Sequence, residues 1–92
     1  MRTVVRIAPL LQEHLPIPAI VEVHGKTIGE CLDDLIRQYP EAREWLLNRN
    51  ELLRVLISTN NEEMLAMNKK SDMDRMVRPT DEILILAILS GG

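Results

Sequence analysis

Seven consecutive apolar residues, from Ile83 to Leu89, precede the last three residues of this 92-residue chain, and they limit its fold more than any other stretch. The run is far too short to cross a bilayer as a helix, which takes about 20 residues. Together with Glu82 it reads as a β-strand over 82–89. Side chains alternate along a strand, so Ile83, Ile85, Ala87 and Leu89 share one face and Leu84, Leu86 and Ile88 the other. A strand apolar on both faces belongs in the middle of a sheet. One face needs a helix over it, and in a chain this short the cover for the second is expected from a partner.

The rest of the chain supplies the neighbours. Residues 3–8 are rich in β-branched side chains and fit a first strand that stops at Pro9, which has no amide to give a ladder. A turn or short helical piece over 10–15 leads to Pro16 and Pro18, and a second strand fits 19–23. Their connection is too short for a parallel crossover, so an antiparallel hairpin follows. Thr27 and Glu30 form a T-x-x-E capping box, in which Glu30 is expected to reach back to the Thr27 amide. Behind it Ile28, Cys31, Leu32, Leu35, Ile36 and Tyr39 recur at spacings of three and four, one apolar stripe facing a sheet. Pro40 ends this helix, and 41–47 fit a second, shorter one. Residues 52–59 alternate as a third strand, Asn60-Asn61 marks a turn, 63–67 fit a short edge strand, 68–74 an exposed loop and 78–81 a turn. The expected fold is α+β, a mixed sheet packed on one principal helix in a domain spanning 1–89, with 90–92 as an exposed tail.

Charge and composition narrow the function. A net charge of -3 and a pI near 5.3 argue against nucleic-acid and anionic-membrane partners, which select a positive surface. Aromatic residues are only 2% of the chain, too few for base-stacking platforms. Lys69-Lys70 reads as a solvated loop. A single cysteine excludes an intramolecular disulfide and a thiolate-rich metal site. With no leader pattern before Pro9, a cytoplasmic protein is expected.

Individual residues give little chemistry. Cys31 lies in the apolar helix stripe and reads as packing rather than as a sulfur relay. His14 and His24 lack metal-ligand spacing, and Trp45 fits packing beneath the second helix. Asp81 and Glu82 point to opposite faces of their strand and suit a turn and an exposed recognition edge. Ser90-Gly91-Gly92 taken alone reads as a frayed terminus of small residues, although glycines can enter narrow sites in conformations closed to other residues.

The ordered combination of the first strand with Pro9-Leu10-Leu11-Gln12-Glu13, the helix start Gly25-Lys26-Thr27-Ile28-Gly29-Glu30, the helix end Tyr39-Pro40, and Asp81-Glu82 before an apolar strand and Ser90-Gly91-Gly92 resembles the ubiquitin-like sulfur-carrier family. That family includes the small subunit of molybdopterin synthase and the thiamine-pathway sulfur carrier. The chain departs from many molybdopterin-type members in having Ala87-Ile88 where they carry proline, and in having no Phe. The resemblance implies a ubiquitin-like β-grasp fold and a carrier rather than an enzyme, with Gly92 as the carboxylate that is adenylated and converted to a thiocarboxylate, and Gly91 giving the tail access. It implies no cofactor bound by this chain, since ATP and Mg²⁺ belong to a separate ATP-dependent adenylating enzyme. A sulfurtransferase or other sulfur donor follows, then a larger synthase subunit or a thiazole synthase as recipient. Molybdopterin-like synthesis is the leading expectation. The alternatives are a thiamine or sulfur-amino-acid pathway, a protein modifier joined through Gly92 to lysine, and a noncatalytic interaction module.

Overall fold

A computed structural model describes residues 2–49, 51–60 and 63–89. In chain order its elements are β1 (Arg2–Ile7), α1 (Pro9–Gln12), β2 (Ile20–His24), α2 (Ile28–Gln38), α3 (Ala42–Leu46), β3 (Leu53–Thr59), β4 (Glu63–Leu65), α4 (Lys70–Met73) and β5 (Glu82–Leu89). The strands form one sheet in the order β2-β1-β5-β3-β4. The doubly apolar β5 is its central strand, as its composition requires. It runs parallel to β1, with Val5 opposite Ile83, and antiparallel to β3, with Ile57 opposite Ile85. β1 and β2 form the antiparallel hairpin, Val5 opposite Val21.

One face of this mixed sheet packs on α2. Val5, Val23, Val55, Ile57, Ile83 and Ile85 are buried together with Ile28, Cys31, Leu32 and Leu35 of the helix stripe. Each such aliphatic side chain contributes about 1.5–3 kcal/mol when fully removed from water, so this layer supplies most of the driving force.

The start of α2 differs in one respect from the sequence reading. The Glu30 amide donates to Thr27 Oγ1 at 3.1 Å, as a cap should. Glu30 Oε1, however, accepts from the Lys26 amide at 2.8 Å, one residue beyond the one expected. A long-range ladder runs beside this start. Thr27 is bridged to Met76, Ile28 donates to the Arg75 carbonyl and Val77 to the Lys26 carbonyl. The Lys26 amide takes no part in that ladder, and Glu30 accepts from it. At the other end Tyr39 leaves the helical basin (φ -133°, ψ 81°) before Pro40.

Residues 68–74 are not simply an exposed loop. They contain the turn α4, and Met73 packs against the core. Asp72 Oδ2 holds the Ala66 amide at 2.9 Å and Lys70 donates to Asp74 at 2.8 Å. α4 comes close against Gly29, where a Cβ would lie 3.1 Å from the Met73 carbonyl oxygen, a tight contact that the turn would have to relieve by a small shift.

Both rims of the sheet are closed by side chains. β4 is shorter than the 63–67 expected, and beyond it the Asn48 amide stands in for a strand. Asn48, at φ 56°, donates to the Val55 carbonyl at 3.1 Å and accepts from the Val55 amide at 2.7 Å. At the β2 rim, Asp34 Oδ2 accepts from the His24 amide at 2.9 Å and Gln38 donates to the Glu22 carbonyl at 2.9 Å. Unpaired strand groups invite pairing with other chains, and these contacts occupy them.

Candidate functional site

Ser90, Gly91 and Gly92 lie outside the described residues, so the structure bears on their setting. β5 is paired through its last residue, Leu89 opposite Leu53 and Ile88 opposite Arg54. β1 lets go earlier, its final pair being Ile7 with Ile85. The strand therefore climbs out of the core as it nears the tail. Ile83 and Ile85 are buried, whereas Ile88 is 49% and Leu89 66% exposed. With Leu52, also half-exposed, they make an apolar collar where the described chain ends.

The sheet face turned away from α2 has no cover from the described residues. It carries Leu84, Leu86 and Ile88 of β5, with Leu56 opposite Leu86, Ser58 opposite Leu84 and Met64 opposite Ser58. The leucines are half-buried by their neighbours, while Met64 is 54% exposed. Three arginines stand among these apolar groups. Arg6 pairs with Glu82 and Arg2 with Glu22, the latter at 3.6 Å. Arg54, exposed and level with Ile88, forms no ion pair with any described carboxylate.

The other sequence candidates turn out to be structural. Asp81 is buried rather than part of an exposed edge. Its Oδ2 accepts from the Arg78 amide at 2.9 Å and its Oδ1 from the Asn60 side chain at 3.0 Å. The Arg78 amide, then Asn60, hold its carboxyl below the usual range. Asn60, in the left-handed region at φ 50°, returns a bond from the Glu82 amide at 2.8 Å. This cluster fixes the turn after β3 to the start of β5. Cys31 is fully buried, and burial pushes its thiol up, only partly offset by the Thr3 hydroxyl. A thiol so placed is a poor nucleophile. His14 is exposed and lies 5.7 Å, ring centre to ring centre, from the partly buried Trp45.

Sequence reasoning missed Arg54 and Asn48. For Arg54 a signal existed, a charged residue next to the start of a strand whose first five positions are otherwise apolar; that no described carboxylate pairs with it needed the structure. Asn48 gave none, because its role depends on β4 ending early.

No family model matches the chain, and no curated protein matches it by sequence. Solved structures do. A chain of the BexX/CysO complex of Amycolatopsis orientalis shares 24% identity, with 98% of this chain and 99% of that one covered and a TM-score of 0.71. Small archaeal modifier protein 1 (SAMP1) of Methanosarcina acetivorans shares 20% identity over 99% of this chain and 96% of that one, TM-score 0.71. SAMP1 of Haloferax volcanii shares 20% over the whole of both chains, TM-score 0.69. The chain has the ubiquitin-like β-grasp fold expected from its sequence. Among the described residues no helix is long and apolar enough to cross a membrane.

Proposed function

We propose that this chain is a sulfur carrier that works through the carboxylate of Gly92. The observation that carries the reading is the pairing of β5 up to Leu89, three residues from Gly92 in the sequence. A reactive end on so short a tether to a rigid strand searches little volume, which favours capture by a partner's active site. The fold shared with the CysO-complex chain and with SAMP1 supports the same reading.

The chemistry belongs to partners. A carboxylate is a poor acyl donor until its oxygen becomes a good leaving group. In the proposed cycle Gly92 attacks the α-phosphate of ATP on a separate, Mg²⁺-dependent adenylating enzyme, releasing pyrophosphate. A persulfide from a sulfurtransferase displaces AMP, and a thiol reductant cleaves the resulting S–S bond to leave the C-terminal thiocarboxylate. A larger synthase subunit for a molybdopterin-like product, or a thiazole synthase, takes the sulfur. The chain itself holds no nucleotide in this scheme, and Gly91 keeps the approach to the carbonyl open.

A second reading has its own support: the SAMP1 structures are named as modifiers, and an adenylated Gly92 can also acylate a lysine amine. Intact mass spectrometry after incubation with ATP, an adenylating enzyme and a sulfur source separates the two. Replacement of one oxygen by one sulfur on an otherwise intact chain supports the carrier. A ladder of conjugates without that replacement overturns it in favour of the modifier.

A further inference from the structure

We infer that the notch in the β3 rim beside β4 is a binding site for a small organic carboxylate with an apolar body, its head on Arg54. The site lies apart from the chemistry proposed for Gly92 and stands or falls independently of it.

The notch follows from the path of the chain. β4 pairs with β3 only from Ile57 to Thr59, and its last residue is Leu65. After Leu65 the backbone turns away: the Ala66 amide donates to Asp72 and the Ala66 carbonyl accepts from the Lys69 amide. On the other flank α3 ends at Leu46, with Leu47 and Asn48 behind it. Between the two flanks a cleft of about 320 Å³ opens along β3 from Arg54 to Ile57, a run of about 10 Å at the rise of a strand. That volume falls at the small end of small-molecule sites, which are mostly apolar with a few placed polar groups.

Three observations choose the occupant. The first is that the backbone edge is taken. The Val55 amide and carbonyl are both bonded to the Asn48 side chain, so a strand added here would have to displace it, whereas a small molecule need not. The second is the lining: Leu47, Leu56 and Met67 are half-buried around the cleft, and Leu65 is 8% exposed. Covering their remaining apolar surface favours an apolar body. The third is the polar inventory. Arg54 and Asn68 also line the cleft, and neither side chain has a hydrogen bond or ion pair among the described residues. A guanidinium offers paired donors that match a carboxylate, and the Asn68 amide adds another. One cation balances one negative charge. A phosphate monoester would bring nearly two to a chain whose net charge is already -3. Arg54 stands at one end of the run and the Ile57–Leu65 pair at the other, so the head lies at Arg54 and the apolar body extends toward Leu65.

The probe is sodium octanoate, with octan-1-ol as its uncharged control. Amide shifts of the full-length, nitrogen-15-labelled chain are followed against rising ligand for wild type, Arg54→Gln, Arg54→Lys, Met67→Gln and, on α3 but outside the cleft, Arg43→Gln. Wild type is expected to bind one octanoate with a Kd near or below about 1 mM, the range open to a ligand of this size. The shifts should fall at 46–48, 54–57 and 65–68. Arg54→Gln weakens binding about tenfold by removing the paired donors. Arg54→Lys recovers part of the loss, since lysine keeps the charge without the fork. Met67→Gln weakens binding a few-fold, Arg43→Gln leaves it unchanged, and octanol binds several-fold more weakly than octanoate. Arg54 is exposed, so its variants are expected to fold as wild type does, and thermal melts without ligand check this. No saturable shift, shifts confined to the outer face of β5, an unchanged affinity in Arg54→Gln, or equal binding of octanol overturns the assignment. So do shifts at the same residues that follow protein concentration with no octanoate present, which would give the notch to a second copy of the chain. None of these results bears on sulfur loading at Gly92, and a chain that never gains sulfur could still hold octanoate.

Discussion

The two faces of β5 are built from the same residue types and do different work. Ile83 and Ile85 point at α2 and are at most 1% exposed, while Leu84, Leu86 and Ile88 point away, the last 49% exposed. Alternation alone gives each face the same hydrophobicity; what separates them is the helix. α2 follows β2 and crosses one side of the sheet, and the described chain supplies no second layer. The same strand thus anchors the core with Ile83 and Ile85 and leaves its even residues without cover from the described chain. Its inner face also changes along its length, from buried Ile83 to 66% exposed Leu89. Stability is concentrated where the strand begins, and the reactive function is proposed where it ends.

The comparison breaks most visibly at that end. Deleting Gly92 should abolish pyrophosphate exchange and sulfur loading while leaving the thermal midpoint unchanged, because the buried core is built from residues up to Ile85. Exchange that continues without Gly92 would mean that Gly92 is not the activated carboxylate, and partner binding that survives the deletion with full biological activity would leave the fold as an interaction module. The next contrast lies within the strand. Ile85→Ala should cost about 2–5 kcal/mol by opening a cavity against α2, whereas Leu86→Ala, one residue away and facing out, should cost about 1 kcal/mol or less. Urea unfolding of the two variants measures this directly. Equal costs would mean that the outer face carries core weight and is not held open for a partner.

Much of this was legible from periodicity. The helix stripe, the Thr27 cap, the central position of β5 and the first hairpin follow from spacings of two, three and four, which local physics enforces. The long-range features did not follow. Residues 75–77 run beside 26–28 at the start of α2, and no local pattern encodes that meeting. α4 is four residues long, too short for a period to show, and it sits close against Gly29, about 44 positions earlier in the chain, a separation that propensity cannot bridge. Asp81 looked like part of an exposed pair because Asn60 had not yet been brought beside it. For the tail, composition and resemblance alone carry the expectation, since glycines have no pattern of their own and residues 90–92 lie outside the described residues.

The sheet rims extend the contrast between closed and open surfaces. Asn48→Ala should cost about 1–3 kcal/mol, since it leaves both polar groups of Val55 without their partner. It should also promote concentration-dependent self-association through the freed β3 rim. Sedimentation at two concentrations, beside urea unfolding, measures both. A variant that loses stability yet stays monomeric would show that Asn48 serves folding only and does not guard the rim.

The smallest effect is expected from pH, and its sign follows from the direction of the shifts. Asp34 is held below the usual carboxylate range first by its bond from Arg37, then by the His24 amide. Asp81 is held down by the Arg78 amide and Asn60. A carboxyl whose folded value is depressed adds stability that is fully present above its unfolded value, near pH 4, and is lost as pH falls through the folded value. Stability should therefore be level from pH 7 to about 5 and decline below about 4. Asp34→Asn should be less stable at pH 7 and decline less steeply in acid, because it keeps an acceptor for the His24 amide but loses the charge that Arg37 favours. The same acid slope in wild type and variant would mean that Asp34 closes the β2 rim by geometry alone, so that the helix-covered side of the sheet owes its closure to packing and hydrogen bonds and nothing to ionisation.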